Sequence, residues 1–174
     1  MMKISKIIPI ILSCLFLCNK LYAQTVFLQN FNDTSFYKTW KVSENIEHAK
    51  KSDVNLSKFV RFHIKSLDEY VESPLIHIDK TNQYSIIFDW NKTENITQDS
   101  VQVLLSKNNG KSWKIINTLK NANTNFWLRD SIFLGTINAN DSIILSWQYL
   151  AKEISTTQTF NLDNVQLKAI DAIV

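Results

Sequence analysis

The residues best suited to bind a sugar in this chain are its tryptophans, because an exposed, flat indole ring packs well against a pyranose. Trp127 falls on the side of an apolar strand pattern opposite its two neighbours, and Arg129 shares that side. A guanidinium beside an aromatic ring can donate hydrogen bonds to a stacked glycan. Trp40, near a predicted loop, is the second aromatic candidate. Alternation assigns the other three to core faces: Trp90, Trp113 and Trp147.

Acidic residues raise the alternative of hydrolysis, which needs two carboxylates about 5 to 10 Å apart or a nucleophile beside a base. The sequence does not show whether the available carboxylates converge: Glu69, Glu72, Asp79 and Asp89. The chain has only two glycines and no G-x-S-x-G elbow or phosphate loop. Of the three histidines, His63 and His77 fall on polar strand faces, and the sequence contains no HExxH motif, so no zinc site is predicted.

The clearest local structure lies between Ser100 and Thr118, where two alternating apolar runs flank a short polar turn. In the second run Trp113 and Ile115 share a face, as period-2 alternation requires. Asn109-Gly110 stands where the backbone must adopt a positive φ, which Asn tolerates and Gly adopts without steric cost. The stretch predicts a β-hairpin.

The turn of this hairpin also has the spacing of an Asp-box, S-x-D-x-G-x-x-W, a motif of sialidase propellers and of many secreted β-domains. The matching residues are Ser106, Asn108, Gly110 and Trp113. Asn108 replaces the usual Asp, but its side-chain oxygen still accepts hydrogen bonds from loop amides, so the motif predicts a structural role. A sialidase propeller would repeat the motif and use an arginine cluster. One copy and only two arginines, Arg61 and Arg129, exclude that enzyme.

The first 23 residues predict a secretory signal peptide. Lys3 and Lys6 flank the start of an apolar run that ends at Cys18, and Ala23 supplies the small residue before a cleavage site. A transmembrane helix needs about 20 apolar residues, so no transmembrane anchor is predicted. Lipoprotein processing at Cys14 is the alternative. Cleavage near Ala23 would leave a single domain over residues 24–174, secreted, periplasmic or on the cell surface.

Removal of the leader changes the charge and the cysteine content of the chain. The formal net charge of the whole chain is +3, which equals the charge of the three leader lysines, Lys3, Lys6 and Lys20. The mature chain is therefore neutral and has no basic footprint for nucleic acid. Both cysteines, Cys14 and Cys18, leave with the leader, which excludes disulfides and thiolate ligands in the mature protein. About 150 residues can bury roughly two-thirds of their unfolded surface without such links.

Strand patterns recur along the mature chain, and no segment has a sustained helical stripe. Residues 41–57 are polar and aperiodic and predict a loop with a helical turn around Glu44 to Lys50. Pro74 interrupts one strand pattern, which predicts an edge strand or a new strand starting at Leu75. About nine strands with alternating faces predict an all-β fold, an antiparallel β-sandwich.

The order of four segments resembles a family of bacterial surface domains. The segments are SPLIHID, YSIIFDW, VQVLLSKNNGKSW and FNLDNVQL. Together they look like the MAM-like jelly-roll modules, the group that includes cleaved-adhesin and choice-of-anchor domains, over roughly Phe27 to Leu167. The resemblance implies a concanavalin-like or galactose-binding-like jelly roll that serves adhesion or assists secreted enzymes, with no conserved catalysis.

The same resemblance implies one structural Ca²⁺, shared by an acidic residue after the first strand and an Asp of the closing strand. The matching positions are Asn32-Asp33 and Asp163. Calcium takes hard oxygen ligands, but Asn32 stands where the family often has Glu, which removes a charge. The alternative is that Asp33 caps a turn and Asp163 accepts hydrogen bonds from loop amides. Calorimetric titration with Ca²⁺ and a melt with chelator would decide between them.

Three functions follow as hypotheses. The first is a secreted, non-catalytic binding or adhesion module that recognises a glycan or a surface protein. The second is a small secreted glycoside hydrolase on the same scaffold. The third is a structural envelope component that pairs through the edge strand beside Pro74. Exposed aromatic and polar residues on one sheet face favour the first, converging carboxylates the second, and a long uncovered edge the third.

Overall fold

The computed structural model describes residues 23–50, 57–63, 65, 68–93, 100–119, 124–151 and 159–170. The predicted leader, residues 1–22 with Cys14, lies outside these ranges. The described residues form a 3-10 helix (Thr34–Lys38) and twelve strands: β1 (Ala23–Gln29), β2 (Lys41–Val42), β3 (Ile46–Lys50), β4 (Lys58–His63), β5 (Asp68–Glu72), β6 (Ile76–His77), β7 (Asn82–Thr93), β8 (Ser100–Ser106), β9 (Lys114–Leu119), β10 (Thr124–Ile137), β11 (Ser142–Leu150) and β12 (Thr159–Ile170).

The strands form two antiparallel sheets. The first sheet has the order β10-β7-β12-β4-β3, and β1 also pairs with β12. The second has the order β2-β5-β11-β8-β9, and β6 also pairs with β11. The prediction of an antiparallel β-sandwich of the jelly-roll type is confirmed.

The prediction of about nine strands is too low by three. Residues 46–50 form β3 and not a helical turn, because they pair with Lys58 to Phe62 of β4 at the edge of the first sheet. β2 adds two residues beside β5. The third is β6, which begins at Ile76 after the chain leaves β5 at Ser73-Pro74, in agreement with the predicted alternative of a new strand starting at Leu75. Polar edge strands of this kind carry little apolar alternation for a sequence pattern to reveal.

The inner faces of the two sheets enclose one hydrophobic core. Along β7 the core side chains alternate from Tyr84 to Trp90, and along β11 they alternate from Ile143 to Tyr149, as their patterns predict. Trp147 is fully buried, with its ring centroid 5.4 Å from that of Phe88 in the facing sheet. Burial of each such side chain stabilises the fold by roughly 1.5–3 kcal/mol.

The 3-10 helix is the only helix among the described residues, and its N-cap is Asp33. The Asp33 carboxylate accepts a hydrogen bond of 2.7 Å from the Ser35 amide, and Phe36 anchors the helix in the core. In the part of the chain described here, no helix is long and apolar enough to cross a membrane.

β10 is one of the edge strands of the first sheet and one of its longest strands. Its pairing with β7 shifts register twice, between Thr124 and Leu128 and between Phe133 and Gly135. At the second shift Gly135 takes a φ of +77°, which favours glycine. Phe126 and Phe133 are 77% and 60% exposed on this strand.

Candidate functional site

The outer face of the second sheet carries a groove, called here the second-sheet groove, with a volume of about 250 Å³. Four strands and the β8–β9 turn contribute its lining residues, which are Lys41, Asp68, Tyr70, Glu72, Leu104, Trp113, Ser146 and Gln148. The groove therefore combines two large aromatic side chains with charged, amide and hydroxyl groups on one sheet face.

Strand register explains why these side chains meet. Ser146 of β11 pairs with Glu72 on one side and with Leu104 on the other, and Glu72 pairs in turn with Lys41. Side chains directly opposite each other on neighbouring strands point to the same face. One row of outward residues thus crosses four strands, and Gln148 pairs with Tyr70 in the next outward row. The flanking residues of Tyr70 point inward, so Tyr70 itself faces outward.

The polar groups of the groove are tied to one another. Gln148 Nε2 donates a hydrogen bond of 2.6 Å to Asp68 Oδ1, and Lys41 Nζ lies 3.4 Å from Glu72 Oε2. The Lys41 ammonium also lies 5.0 Å from the centroid of the Tyr70 ring. Desolvation lowers the pKa of Lys41, but Glu72 and Tyr70 raise it by more, so that pKa lies above its ordinary value. The groove presents an oriented amide and an aromatic ring beside an exposed cation that is paired with Glu72.

Trp113 reaches the groove through the Asp-box-like hairpin. Ser106 Oγ accepts the Gly110 amide at 2.9 Å, and Asn108 Oδ1 accepts the Ser112 amide at 2.9 Å, so both motif side chains hold the turn as predicted. A Cβ placed on Gly110 would lie 3.7 Å from the Trp113 ring. The turn therefore fixes the backbone immediately before Trp113.

The assignment of Trp113 to the core is wrong. Trp113 and Ile115 do share a face, but it is the outer one: Trp113 is partly buried and lines the groove, and Ile115 is 50% exposed. Alternation along one strand shows which residues lie on the same side. It does not show which side meets the facing sheet. Here Leu104, Ile115 and Trp113 form a small apolar area outside the core, and their alternation alone looks like that of core residues.

The aromatic candidates Trp127 and Trp40 have different outcomes. Trp127 lies on the outer face of the first sheet, where its partly buried ring packs edge-on against Phe59 at a centroid distance of 5.2 Å. The assignment of Trp40 to a binding site is wrong. Its side chain is 4% exposed and packs in the core against Phe31 and Trp147.

Arg129 lies beside Trp127 on β10 but is engaged by a carboxylate. Its Nε and Nη2 donate hydrogen bonds of 2.7 and 2.9 Å to the two oxygens of Asp89, which also accepts one from Asn164. The hydrogen bonds and charge of Asp89 raise the pKa of Arg129. A glycan at Trp127 would compete with this ion pair for the guanidinium.

The carboxylates considered for hydrolysis do not converge in the groove. Of the four carboxylates considered, Glu72 lines the groove, and the other groove carboxylate, Asp68, is four residues away on the same strand, with about 13 Å between the two Cα atoms. Glu69 is fully buried and accepts hydrogen bonds from Ser43 and Asn45. Asp79 and Asp89 are not among the groove residues.

The proposed calcium ligands each accept a hydrogen bond from a backbone amide. Asn32 Oδ1 accepts the Lys58 amide at 3.1 Å, Asp33 Oδ1 the Ser35 amide, and Asp163 Oδ1 the Asn164 amide at 2.7 Å. No group of three acidic, histidine or cysteine residues that could hold a metal occurs within the described ranges. Calcium binding stays a prediction of the sequence.

The three histidines lie apart in these ranges. His48 contacts the Phe31 carbonyl, His63 contacts Glu47 in the first sheet, and His77 Nδ1 lies 2.9 Å from Ser142 Oγ in the second. Each histidine contacts a different partner, and none of the three lines the second-sheet groove.

Sequence reasoning missed Tyr70, Gln148 and Lys41 as site residues. The available signal was modest: Tyr70 alternates with the inward Val71, and Gln148 alternates with Trp147 and Tyr149. Alternation identifies these residues as outward, but their convergence depends on the order β2-β5-β11-β8, which no single segment contains.

Solved structures of proteins with distant sequences have a similar fold. The CBM22-1 xylan-binding domain of Paenibacillus barcinonensis Xyn10C has a TM-score of 0.59 at 8% identity, over 88% of this chain and 99% of that one. The K1 cleaved adhesin domain of Lys-gingipain from Porphyromonas gingivalis W83 has a TM-score of 0.57 at 12% identity, over 85% of this chain and 99% of that one.

A third similar structure contains a sugar. It holds the CBM22-1 and GH10 modules of Clostridium thermocellum endo-1,4-β-D-xylanase 10B, complexed with xylohexaose, with a TM-score of 0.59 at 14% identity over 88% of this chain and 30% of that one. No family model matches the chain, and no curated protein matches its sequence. At these identities the likeness establishes the fold alone. The fold shared with cleaved-adhesin domains is confirmed, and the MAM-like and choice-of-anchor parts of the resemblance stay predictions.

Proposed function

We propose that this protein is a non-catalytic glycan-binding module and that the second-sheet groove holds the sugar. The observation that carries the proposal is the presence of Tyr70 and Trp113 on one outer sheet face beside the Gln148–Asp68 pair. Aromatic rings offer stacking surfaces, and a small number of oriented polar groups fixes the hydroxyls of the ligand. The predicted leader supports a secreted, periplasmic or cell-surface location for this activity.

The similar structures support this proposal in kind. Two of them include a CBM22 module, one described as xylan-binding and one complexed with xylohexaose, and a third is an adhesin domain. Because fold does not determine function, the groove residues and not the fold carry the proposal. A surface protein as the ligand is the alternative that adhesion domains suggest.

The test is a binding screen of the full chain against a glycan panel that includes xylan, followed by titration calorimetry. We expect Trp113→Ala and Tyr70→Ala each to weaken binding about tenfold or more, since removal of an aromatic anchor commonly costs more than about 1.4 kcal/mol. Trp127→Ala is the matched control, because it removes a tryptophan from the outer face of the other sheet.

Two outcomes would contradict the groove. If Trp127→Ala abolishes binding and Trp113→Ala does not, the site is the outer face of the first sheet. If no glycan binds and a cell-surface protein does, the ligand is a protein. Circular dichroism of each variant separates lost binding from lost folding.

The hydrolase hypothesis has a separate readout. Reducing-end release from the same polysaccharides should not exceed the level of a Glu72→Gln variant, because three of the four carboxylates considered for hydrolysis, Glu69, Asp79 and Asp89, lie outside the groove. Release that disappears in that variant would favour the enzyme.

The structural-component hypothesis depended on an open edge beside Pro74. In the structure β5 lies between β11 and β2, and β6 is two residues long. This part of the second sheet therefore offers a short edge for pairing with another chain, and the glycan-binding hypothesis is favoured.

A further inference from the structure

A second cavity adjoins the second-sheet groove at Trp113. It has a volume of about 260 Å³ and is lined by Leu105, Lys107, Asn108, Ser112, Trp113 and Lys114. Trp113 lines both cavities. The two cavities therefore share the Trp113 side chain, and the second is called here the hairpin cavity.

The charges of the two cavities differ. The hairpin from Ser100 to Leu119 contains Lys107, Lys111 and Lys114 and no acidic residue. All three lysines are exposed, and none forms an ion pair within 4 Å in the described part of the chain. In the groove, by contrast, the one ammonium, that of Lys41, is paired with Glu72. The hairpin cavity is therefore the more basic of the two cavities.

We propose that the groove and the hairpin cavity together bind an acidic polysaccharide, with a uronate carboxylate of the sugar chain held between Lys107 and Lys114. This inference rests on the proposed function, because it assigns the charge of the ligand held at Trp113. Both lysines line the same cavity, and in the sequence one precedes the turn and the other follows it. Asn108 and Ser112, on the same wall, offer an amide and a hydroxyl for hydrogen bonds.

Overall neutrality of the mature chain does not weaken this inference, since a local patch of unpaired cations attracts an anion within a Debye length of about 10 Å at 0.1 M salt. Exposed ion pairs are each worth little, about 0.2–1 kcal/mol. Two of them change affinity by about twofold to thirtyfold, which is enough to prefer an acidic chain over its neutral counterpart.

The experiment compares polygalacturonate with its fully methyl-esterified form, and glucuronoxylan with linear unsubstituted xylan, by calorimetry at low and high salt with the full chain. We expect tighter binding of the acidic member of at least one pair, and a loss of that preference at high salt. The double variant Lys107→Gln/Lys114→Gln should lose about twofold to thirtyfold in affinity for the acidic polymer and bind the neutral one unchanged.

The control is Lys38→Gln/Lys50→Gln, which removes two exposed lysines from the helix and from β3 and should leave both affinities unchanged. Equal binding of acidic and neutral members, with loss in Trp113→Ala, would overturn the acidic ligand and leave the proposed function in place. Binding of neither member of either pair, nor of any glycan in the panel, would overturn both. A preference for the acidic polymer that survives Lys107→Gln/Lys114→Gln would also overturn this assignment.

Discussion

The contacts of Asp33 bear on two sequence-based hypotheses. The calcium hypothesis and the capping hypothesis both used its carboxylate, and the structure places that carboxylate on the Ser35 amide at the start of the 3-10 helix. Hydrogen bonds from the side chain and the backbone of Ser35 hold the pKa of Asp33 below its ordinary value of 3.8. The capping role is confirmed, while the metal role keeps its titration as a test.

The lowered pKa of Asp33 predicts a pH-dependent contribution to stability. Because its folded pKa is below its unfolded one, the contribution is complete above the unfolded value and is lost as the pH falls through the folded value. We expect Asp33→Ala to melt below the wild type at pH 7, and the difference to narrow below pH 3.8. Thermal melts from pH 7 to pH 2 measure it. Asp33→Asn, which keeps the acceptor without the charge, is the control, and a constant difference across this range would refute the assignment.

At the residue scale, the sequence predicts which sheet face a side chain points to better than it predicts which other residues contact that side chain. Alternation correctly places Trp127 and Arg129 on the outward side of β10. It cannot show that Phe59, from a strand more than sixty residues earlier in the chain, packs against that indole, or that Asp89 holds that guanidinium. Such long-range contacts depend on the pairing of β7 with β10 and on the fold around them.

The β8–β9 hairpin is the element that the sequence predicts most completely. Asn109 and Gly110 both adopt positive φ, 58° and 78°, as the turn chemistry requires. The motif side chains make the hydrogen bonds expected of an Asp-box with Asn in place of Asp. Local turn chemistry suffices here because every group involved lies within eight residues.

Replacement of Asn108 tests the turn. Its side chain makes three hydrogen bonds, to Ser106 Oγ and to the amide and hydroxyl of Ser112. We expect Asn108→Ala to lower the free energy of unfolding by about 1–2 kcal/mol, and to weaken glycan binding because Trp113 loses its support. Urea unfolding with an unchanged m-value measures the first effect.

Asn108→Asp is the matched control for this turn, since a carboxylate oxygen accepts from the same two donors and Ser112 Oγ can rotate to donate. Stability close to that of the wild type is expected. A loss as large as that of Asn108→Ala would mean that the amide donor, and not the acceptor, holds the turn.

Other elements are predicted less well. β7 and β11 follow from alternation because one face of each meets the core. β2 and β3 were missed because they are short or polar, and they exist through pairing with β5 and β4. Tertiary pairing, and not local propensity, decides such strands.

At the scale of the whole molecule, the sandwich separates stability from binding. Trp40 bridges Phe31 and Trp147 within the core, whereas Trp113 and Trp127 lie on opposite outer faces. The sequence predicted two stacked sheets but not which outward residues of the second sheet converge, since convergence is a property of strand order.

This separation predicts different effects for two tryptophans that the sequence placed together as ligand candidates. We expect Trp40→Ala to lower the free energy of unfolding by about 3–5 kcal/mol, because it empties a large buried volume. Trp127→Ala should cost less, since that ring is partly buried at the surface. Chemical denaturation of both variants measures the difference, and similar values would contradict the placement of Trp40.

The irregular edge of β10 affects how copies of the chain can pair with one another. Its two register shifts leave Leu128 to Phe133 as the longest regularly paired run, and Arg129 and Asp130 lie in that run. A strand from another molecule would meet a twisted edge with charged residues near its middle. Such an edge disfavours the edge-to-edge strand pairing that leads to aggregation. We therefore expect this edge to disfavour strand addition although it carries the exposed Phe126 and Phe133.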